Sequence, residues 1–254
     1  MHVQKKISTI VNAAEILKCL SEDIGKISDI SKKLTLNKAT VHRTLKTLES
    51  TGLSSQDPIT RRYYLGPLVQ DLASNPVNGH QILYFTAHEH LKYLRDISGE
   101  TVGLQVRFGV KRLVIDEVES PQAIKFAGGK GKIGPIHAGA SGKVLLSQIN
   151  EKDLDLLLNR IELLPVGPNT ITDRASLLKE LEKIRQRGYA TSFSEYGINA
   201  AVIAVPITGY FSSVALGIVG PGERFLDKRM NFLEPLIKSA TQISEKLNHA
   251  STDK

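Results

Sequence analysis

The amino-acid sequence predicts an α+β protein: a small helical N-terminal domain closed by a β-hairpin, a linker helix, and a larger domain with an antiparallel sheet flanked by helices. Three observations predict it. Apolar residues recur at helical spacing through residues 8–21 and again through 41–48. A cluster of breakers, Asn75-Pro76-Val77-Asn78-Gly79, separates two stretches of regular pattern. Beyond it a hairpin pattern comes early and adjacent strand patterns come late, with helices between them, which favours an antiparallel sheet over a doubly wound parallel one. The 254 residues allow one or two domains, and 41% hydrophobic with 23% charged residues is the composition of a globular chain with an ordinary core.

In the first domain, Ile10, Ala14, Leu17 and Leu20 mark a helix over 8–21, with Cys19 packed inside it. Ser28 is placed to cap a short second helix that carries Ile30 and Leu34 on one face. Thr35-Leu36-Asn37 forms a turn, and Asn37 caps a third helix that stops at Gly52. Strands over 53–56 and 61–65 turn at Asp57-Pro58, and Gly66-Pro67 ends the unit. A short helix over 68–74 leads into the breakers. The expected divisions are 1–66 for the first domain, 67–79 for the linker helix and loop, and 80–254 for the second domain.

In the second domain, Tyr84, Ala87, Leu91 and Leu94 set a helix over 80–97. Strands over 101–107 and 111–118 turn at Phe108-Gly109, and a glycine-rich loop, Gly128-Gly129-Lys130-Gly131-Lys132, leads towards Ile136-His137-Ala138-Gly139-Ala140-Ser141-Gly142-Lys143. Helices fit 141–149, 151–159 and 173–187, strands fit 189–193, 201–207 and 213–219, and a final helix covers 226–247.

The net charge is +7, but residues 26–62 alone hold eight basic and three acidic side chains. Positive charge concentrated on helix, turn, helix and hairpin suits steering to phosphate. That order of elements is a winged helix-turn-helix, and it points to duplex DNA. At ~100° per residue, Val41, Leu45 and Leu48 form the buried stripe of the third helix, leaving Ala39, Arg43 and Lys46 on the opposite side with His42 beside them. Arg43 can make paired bonds to guanine, and the small Ala39 lets the helix approach and touch a thymine methyl. Lys38, Thr40 and Lys46 suit phosphate contacts that set register, and the amides at the helix start after Asn37 add another. Arg61 or Arg62 on the wing can reach a neighbouring minor groove or the backbone.

Other classes are disfavoured. One cysteine forms no intrachain disulfide and suits a reducing compartment. The first residues do not read as a signal peptide, and the longest apolar run, 200–207, is interrupted by Pro206 and falls far short of the ~20 residues of a membrane span. A cytoplasmic protein without a membrane partner is expected. Neither a cofactor nor a metal is expected: His88 and His90 point about 200° apart on one helix and read as surface residues. A phosphate-binding loop would need glycine where His137 stands and Ser or Thr where Val144 stands. A nucleophile elbow would need its second glycine one residue later than Gly142, and His137 has no assignable acid partner. No enzymatic activity is expected.

With these residues laid out, the chain resembles the IclR family of bacterial transcription regulators over nearly its whole length. The N-terminal signs are VNAAEILKCL, NKATVHRTLKTLESTGL and RRYYLGP; the more specific C-terminal ones are KIGPIHAGASGKVLL, RGYATSFSEYGINAAVIAVPI and ALGIVGPGERF. The resemblance implies a winged helix-turn-helix joined by a linker helix to a GAF-like effector-binding domain. It implies a homodimer or tetramer on palindromic double-stranded DNA operators and control by a small-molecule effector, often a carboxylate or aromatic compound.

It also implies that effector contacts fall on Ala140, Ser141, Ser192, Val202, Gly217 and Val219. Relatives that bind very small polar acids carry acidic, thiol or hydroxyl side chains at the last four positions; here only Ser192 is polar, which implies a less polar cavity suited to a larger apolar or aromatic acid. From the residues themselves, a helix starting in Gly139–Gly142 offers free amides for an anion. Lys143 lies in its first turn, where the dipole disfavours a cation and a bound carboxylate would offset the penalty. The alternative is a glycine turn that only lets a helix pack on a sheet. Glu195, in the S-x-x-E run from Ser192, is expected to orient that turn rather than to touch ligand.

Overall fold

The computed structural model describes residues 7–73 and 78–252. The chain divides into two compact units, residues 1–76 and 77–254. The breakers Asn75, Pro76 and Val77 lie outside the described residues.

The first unit holds α1 (Ser8–Ser21), α2 (Ile27–Leu34), α3 (Lys38–Ser50), β1 (Ser54–Gln56), β2 (Tyr63–Leu65) and α4 (Pro67–Ala73), with β1 and β2 paired antiparallel. Ile16, Leu20, Ile30, Val41, Leu45 and Tyr63 form its core. Two expectations are corrected. Helix α2 begins after Lys26, and the Ser28 hydroxyl bonds the Asp29 carboxylate instead of capping; Ile27 packs against the core, so the helix has to start there. The hairpin strands are shorter than the pattern suggested. The Asp57 carboxylate accepts the amides of Ile59 and Thr60, at 2.8 and 3.0 Å, and Arg61 is left-handed at φ 59°. The loop therefore takes up Arg61 and Arg62 before β2 begins.

The second unit is built on a six-stranded sheet in the order β5-β4-β3-β8-β7-β6. Its strands are β3 (Thr101–Phe108), β4 (Lys111–Val118), β5 (Ile133–Pro135), β6 (Ala190–Phe193), β7 (Ala200–Ile207) and β8 (Val214–Pro221), and every pair is antiparallel. One face is covered by α5 (Gln81–Ser98) and α10 (Leu233–Thr252), through Leu83, Leu91, Leu94, Leu236 and Ile243. The other core contains α6 (Gly139–Ser147), α7 (Glu151–Leu158) and α8 (Arg174–Arg187), through Val144, Leu145, Leu154, Leu177 and Leu181. The final helix expected over 226–247 begins later: a short α9 (Gly222–Phe225) precedes that range, a 3-10 turn covers Arg229–Phe232, and α10 starts only at Leu233. Strand β5 lies in the segment read only as the approach to α6.

One irregularity positions the site. Leu104 pairs with Asp116 but Gln105 pairs with Val114, leaving Ile115 as an extra residue in β4. Such a bulge shifts which side chains share a face. Arg112 and Val114 face the α6 side, and beyond the bulge Glu117 joins them on the wall of one cavity. Asp116 instead meets His88 of α5 at 2.6 Å.

Candidate nucleic-acid face and ligand cavity

Helix α3 is anchored before it is exposed. The Asn37 side chain accepts the Thr40 amide at 2.8 Å, an N-cap worth about 1 kcal/mol. The turn before it is tied by the Ser31 hydroxyl, which donates to the Leu36 carbonyl at 2.6 Å, while the Leu36 amide donates to the Ser31 carbonyl at 3.1 Å. Val41, Leu45 and Leu48 are buried. That leaves Lys38, Ala39, His42, Arg43 and Lys46 exposed, with Thr40 half-buried. Among the described residues the Arg43 guanidinium has no hydrogen bond or ion pair, whereas Lys46 is paired with Glu49 at 2.7 Å. That carboxylate's hydrogen bond pushes the ammonium pKa up.

The wing is fastened to the helices by the Tyr63 amide, which donates to the Gly25 carbonyl at 2.8 Å. Gly25 has to be glycine: a Cβ there would stand 2.2 Å from the Tyr63 carbonyl oxygen. Arg61 is exposed on the loop. Arg62 differs, because its guanidinium bonds the Asp23 carbonyl at 2.8 Å and the Asp23 carboxylate at 3.2 Å. It clamps the wing to the α1–α2 connection, so it is less available than the sequence pattern suggested.

In the second unit a cavity of about 140 Å³ lies between the sheet and the start of α6. Alternate residues of a strand share a face, and this brings Val202 of β7 and Gly217 and Val219 of β8 to its wall beside Ala140 and Ser141. Ser192 is not on the wall: its hydroxyl accepts the Ala140 amide at 3.0 Å. The segment 126–132 covers the cavity with Phe126 and Ala127, held because Glu117 accepts the amides of Gly128 and Gly129 at 2.8 and 2.9 Å.

The start of α6 differs from the sequence expectation. Lys143 is buried, and its ammonium bonds Glu195 at 2.6 Å and the Thr191 carbonyl at 3.2 Å, with Glu180 at 3.8 Å. The penalty of a cation in the first turn is thus offset inside the protein. The other Glu195 oxygen accepts the Gly139 amide at 3.2 Å. With Ser192 on Ala140, two of the amides expected to be free for an anion are already occupied. Gly142 supplies the close approach, since a Cβ there would sit 2.2 Å from the Ile136 carbonyl oxygen.

Sequence reasoning missed Arg112, Tyr196 and Gln105 on this wall. Arg112 is 7% exposed, and its guanidinium lies over the Tyr196 ring at 4.0 Å. Burial pulls its pKa below the ordinary arginine value. A basic residue alternating with Val114 in a strand of buried pattern was the available signal. His137 is buried, with Nε2 2.9 Å from the Leu164 carbonyl oxygen, which uses that nitrogen structurally. His88 and His90 are half-buried rather than on the surface. Among the described residues there is no cluster of three or more His, Cys, Asp or Glu able to hold a metal, and no helix long and apolar enough to cross a membrane.

Two family models match the chain: the IclR helix-turn-helix domain over residues 9–58 and the bacterial transcriptional regulator IclR C-terminal domain over residues 77–245. The HTH-type transcriptional regulator XynR of Escherichia coli is 30% identical over 248 residues, covering 96% of this chain and 98% of that protein. The crystal structure of Thermotoga maritima IclR superposes with a TM-score of 0.64 at 31% identity, covering 96% of this chain and 100% of that one. An IclR homologue from Microbacterium hydrocarbonoxydans, solved in complex with 4-hydroxybenzoate, shares the fold at a TM-score of 0.61 and 24% identity, covering 95% of this chain and 99% of that one. Helix-turn-helix, antiparallel sheet and cavity therefore sit in one chain that belongs to the IclR family of bacterial transcriptional regulators, with a DNA-binding N-terminal domain and an effector-binding C-terminal domain.

Proposed function

We propose that this regulator binds a specific operator as a homodimer or tetramer in the cytoplasm, and that an organic or aromatic acid in the second-unit cavity controls its hold on DNA. The observation that carries the DNA half is Arg43, exposed on α3 and unpaired among the described residues beside the small Ala39. Arg43 reads a guanine edge, with His42 beside it, and Ala39 admits a thymine methyl. Lys38, Thr40, Lys46 and the helix start at Asn37 fix register on phosphates. Arg61 adds a sequence-independent contact, and Arg62 a weaker one because Asp23 holds it. For the effector half, an apolar wall from Val202 and Val219 beside one buried arginine favours a mostly apolar acid over a small, highly polar one. The Microbacterium homologue, with its bound 4-hydroxybenzoate, is in line with this class.

The test is a thermal-shift screen of organic and aromatic acids on the full chain, followed by operator titrations with each hit. The expected result is an acid that raises the melting temperature and alters operator affinity. A two- or three-carbon hydroxy or keto acid as the tightest ligand would overturn the effector reading. Equal affinity for operator and random duplex would overturn the DNA reading.

A further inference from the structure

We propose that Arg112 is the anion-reading group of the cavity, and that its ligand is a single-ring aromatic monocarboxylate with a polar substituent directed at Gln105. This rests on the reading of the cavity as the effector site, and deepens it. The first ground is the cost of the arginine. Among the described residues the other buried lysine or arginine of this unit, Lys143, is paired with Glu195, and even the part-exposed Arg224 is paired with the buried Glu100. Arg112 is buried like Lys143, yet among the described residues it forms no ion pair with a carboxylate. A buried charge without a counter-ion is unfavourable, and Tyr196 supplies a ring face and a hydroxyl but no carboxylate to balance it. A ligand carboxylate would complete the pair, and the planar guanidinium fork matches it in two-point geometry.

The second ground is that the alternative anion site is partly occupied, since Gly139 and Ala140 give their amides to Glu195 and Ser192. Size and charge then narrow the class. A dry cavity of roughly 150 Å³ admits benzene, and this one is about 140 Å³. Its apolar wall includes Val114, Phe126, Val202 and Val219. Its charged side chains are Arg112, Lys132 and Glu117, which leave one net positive charge, and Glu117 would repel a second carboxylate. Finally, the Gln105 side-chain amide lines the same cavity, its oxygen is buried, and no hydrogen bond from the side chain is present among the described residues. An amide can turn to donate or accept, so it meets a hydroxyl, amino or carbonyl substituent on the ring.

Calorimetric titration of the full chain with benzoate, its neutral isostere benzamide, 4-hydroxybenzoate, terephthalate and pyruvate tests this. The parent should bind benzoate and 4-hydroxybenzoate at least about tenfold more tightly than benzamide, terephthalate or pyruvate, the scale of a charge-assisted bond. Arg112→Met should collapse the benzoate-to-benzamide ratio towards one while leaving the ligand-free melting temperature unchanged or higher, which a merely structural arginine would not do. Arg112→Lys, which keeps the charge, should fall between. Gln105→Leu should remove the preference for 4-hydroxybenzoate over benzoate and leave benzoate binding intact. Failure of the parent to bind either benzoate, a preference for pyruvate or benzamide, or an unchanged ratio in Arg112→Met would overturn the proposal. If another class of acid alters operator affinity while the benzoates do not bind, the regulator reading stands and this one falls. If benzoate binds through Arg112 without any effect on DNA, the assignment of Arg112 stands and the reading of the cavity as the effector site falls.

Discussion

Replacing Glu195 with glutamine removes one charge from the most buried ion pair near the cavity and little else. The glutamine oxygen can still accept the Gly139 amide, now 3.2 Å from Glu195. Lys143, whose side chain is 3% exposed, loses its 2.6 Å partner and keeps Glu180 at 3.8 Å and the Thr191 carbonyl at 3.2 Å. Breaking a buried pair from one side costs about 3–5 kcal/mol. The residual Glu180 contact places this case at the low end, near ~3 kcal/mol, which for a domain of this size lowers the melting temperature by roughly 6–12 °C. Scanning calorimetry on Glu195→Gln, Lys143→Met and the double variant is the assay. The double variant should recover much of the loss, because removing both charges abolishes the uncompensated one. A drop below about 2 °C in Glu195→Gln, or additive losses in the double variant, would refute the reasoning.

Three further outcomes are expected. Arg43→Ala should cost about 1–3 kcal/mol in operator binding, roughly 5- to 150-fold, and relax base preference, while Arg61→Ala should weaken operator and scrambled duplex alike; anisotropy titrations on both duplexes check this. Asn37→Ala removes the acceptor of the Thr40 amide and should lower the stability of the N-terminal domain by about 1 kcal/mol in urea unfolding. His80 meets the Tyr210 hydroxyl at 2.9 Å, and burial lowers its pKa from 6.5. The unfolded chain then takes the proton first, so this contribution is full above pH 6.5 and is lost as pH falls through the lowered folded value. His80→Asn should flatten that acid limb of the stability–pH curve, and an unchanged slope would count against it.

The first unit was legible because its chemistry is local. The stripe Val41, Leu45, Leu48 and the cap at Asn37 follow from spacing and residue type alone, and so does the outward side of α3. What escaped there depended on tertiary contact: Ile27 drew the start of α2 away from Ser28, and Asp23 engaged Arg62 from 39 residues away. The cavity was half legible. Of the six positions named through the family resemblance, Ala140, Ser141, Val202, Gly217 and Val219 lie on its wall and Ser192 does not. Arg112 and Glu117 were not, because strict strand alternation puts them on opposite faces, and only the extra residue at Ile115 reunites them. The free helix amides were misjudged for a related reason. Glu195 and Ser192 are more than 50 residues from Gly139 and Ala140, and only the folded β6 and the turn after it bring their oxygens to those amides.

The most direct measurement of the central claim is the operator affinity of the full chain, titrated at fixed salt in the absence and in the saturating presence of the tightest-binding acid. The account predicts a change of at least about fivefold, the lower end of ordinary allosteric coupling, and the same factor in acid affinity when operator is saturating. An operator affinity unmoved by an acid that demonstrably fills the cavity would contradict it.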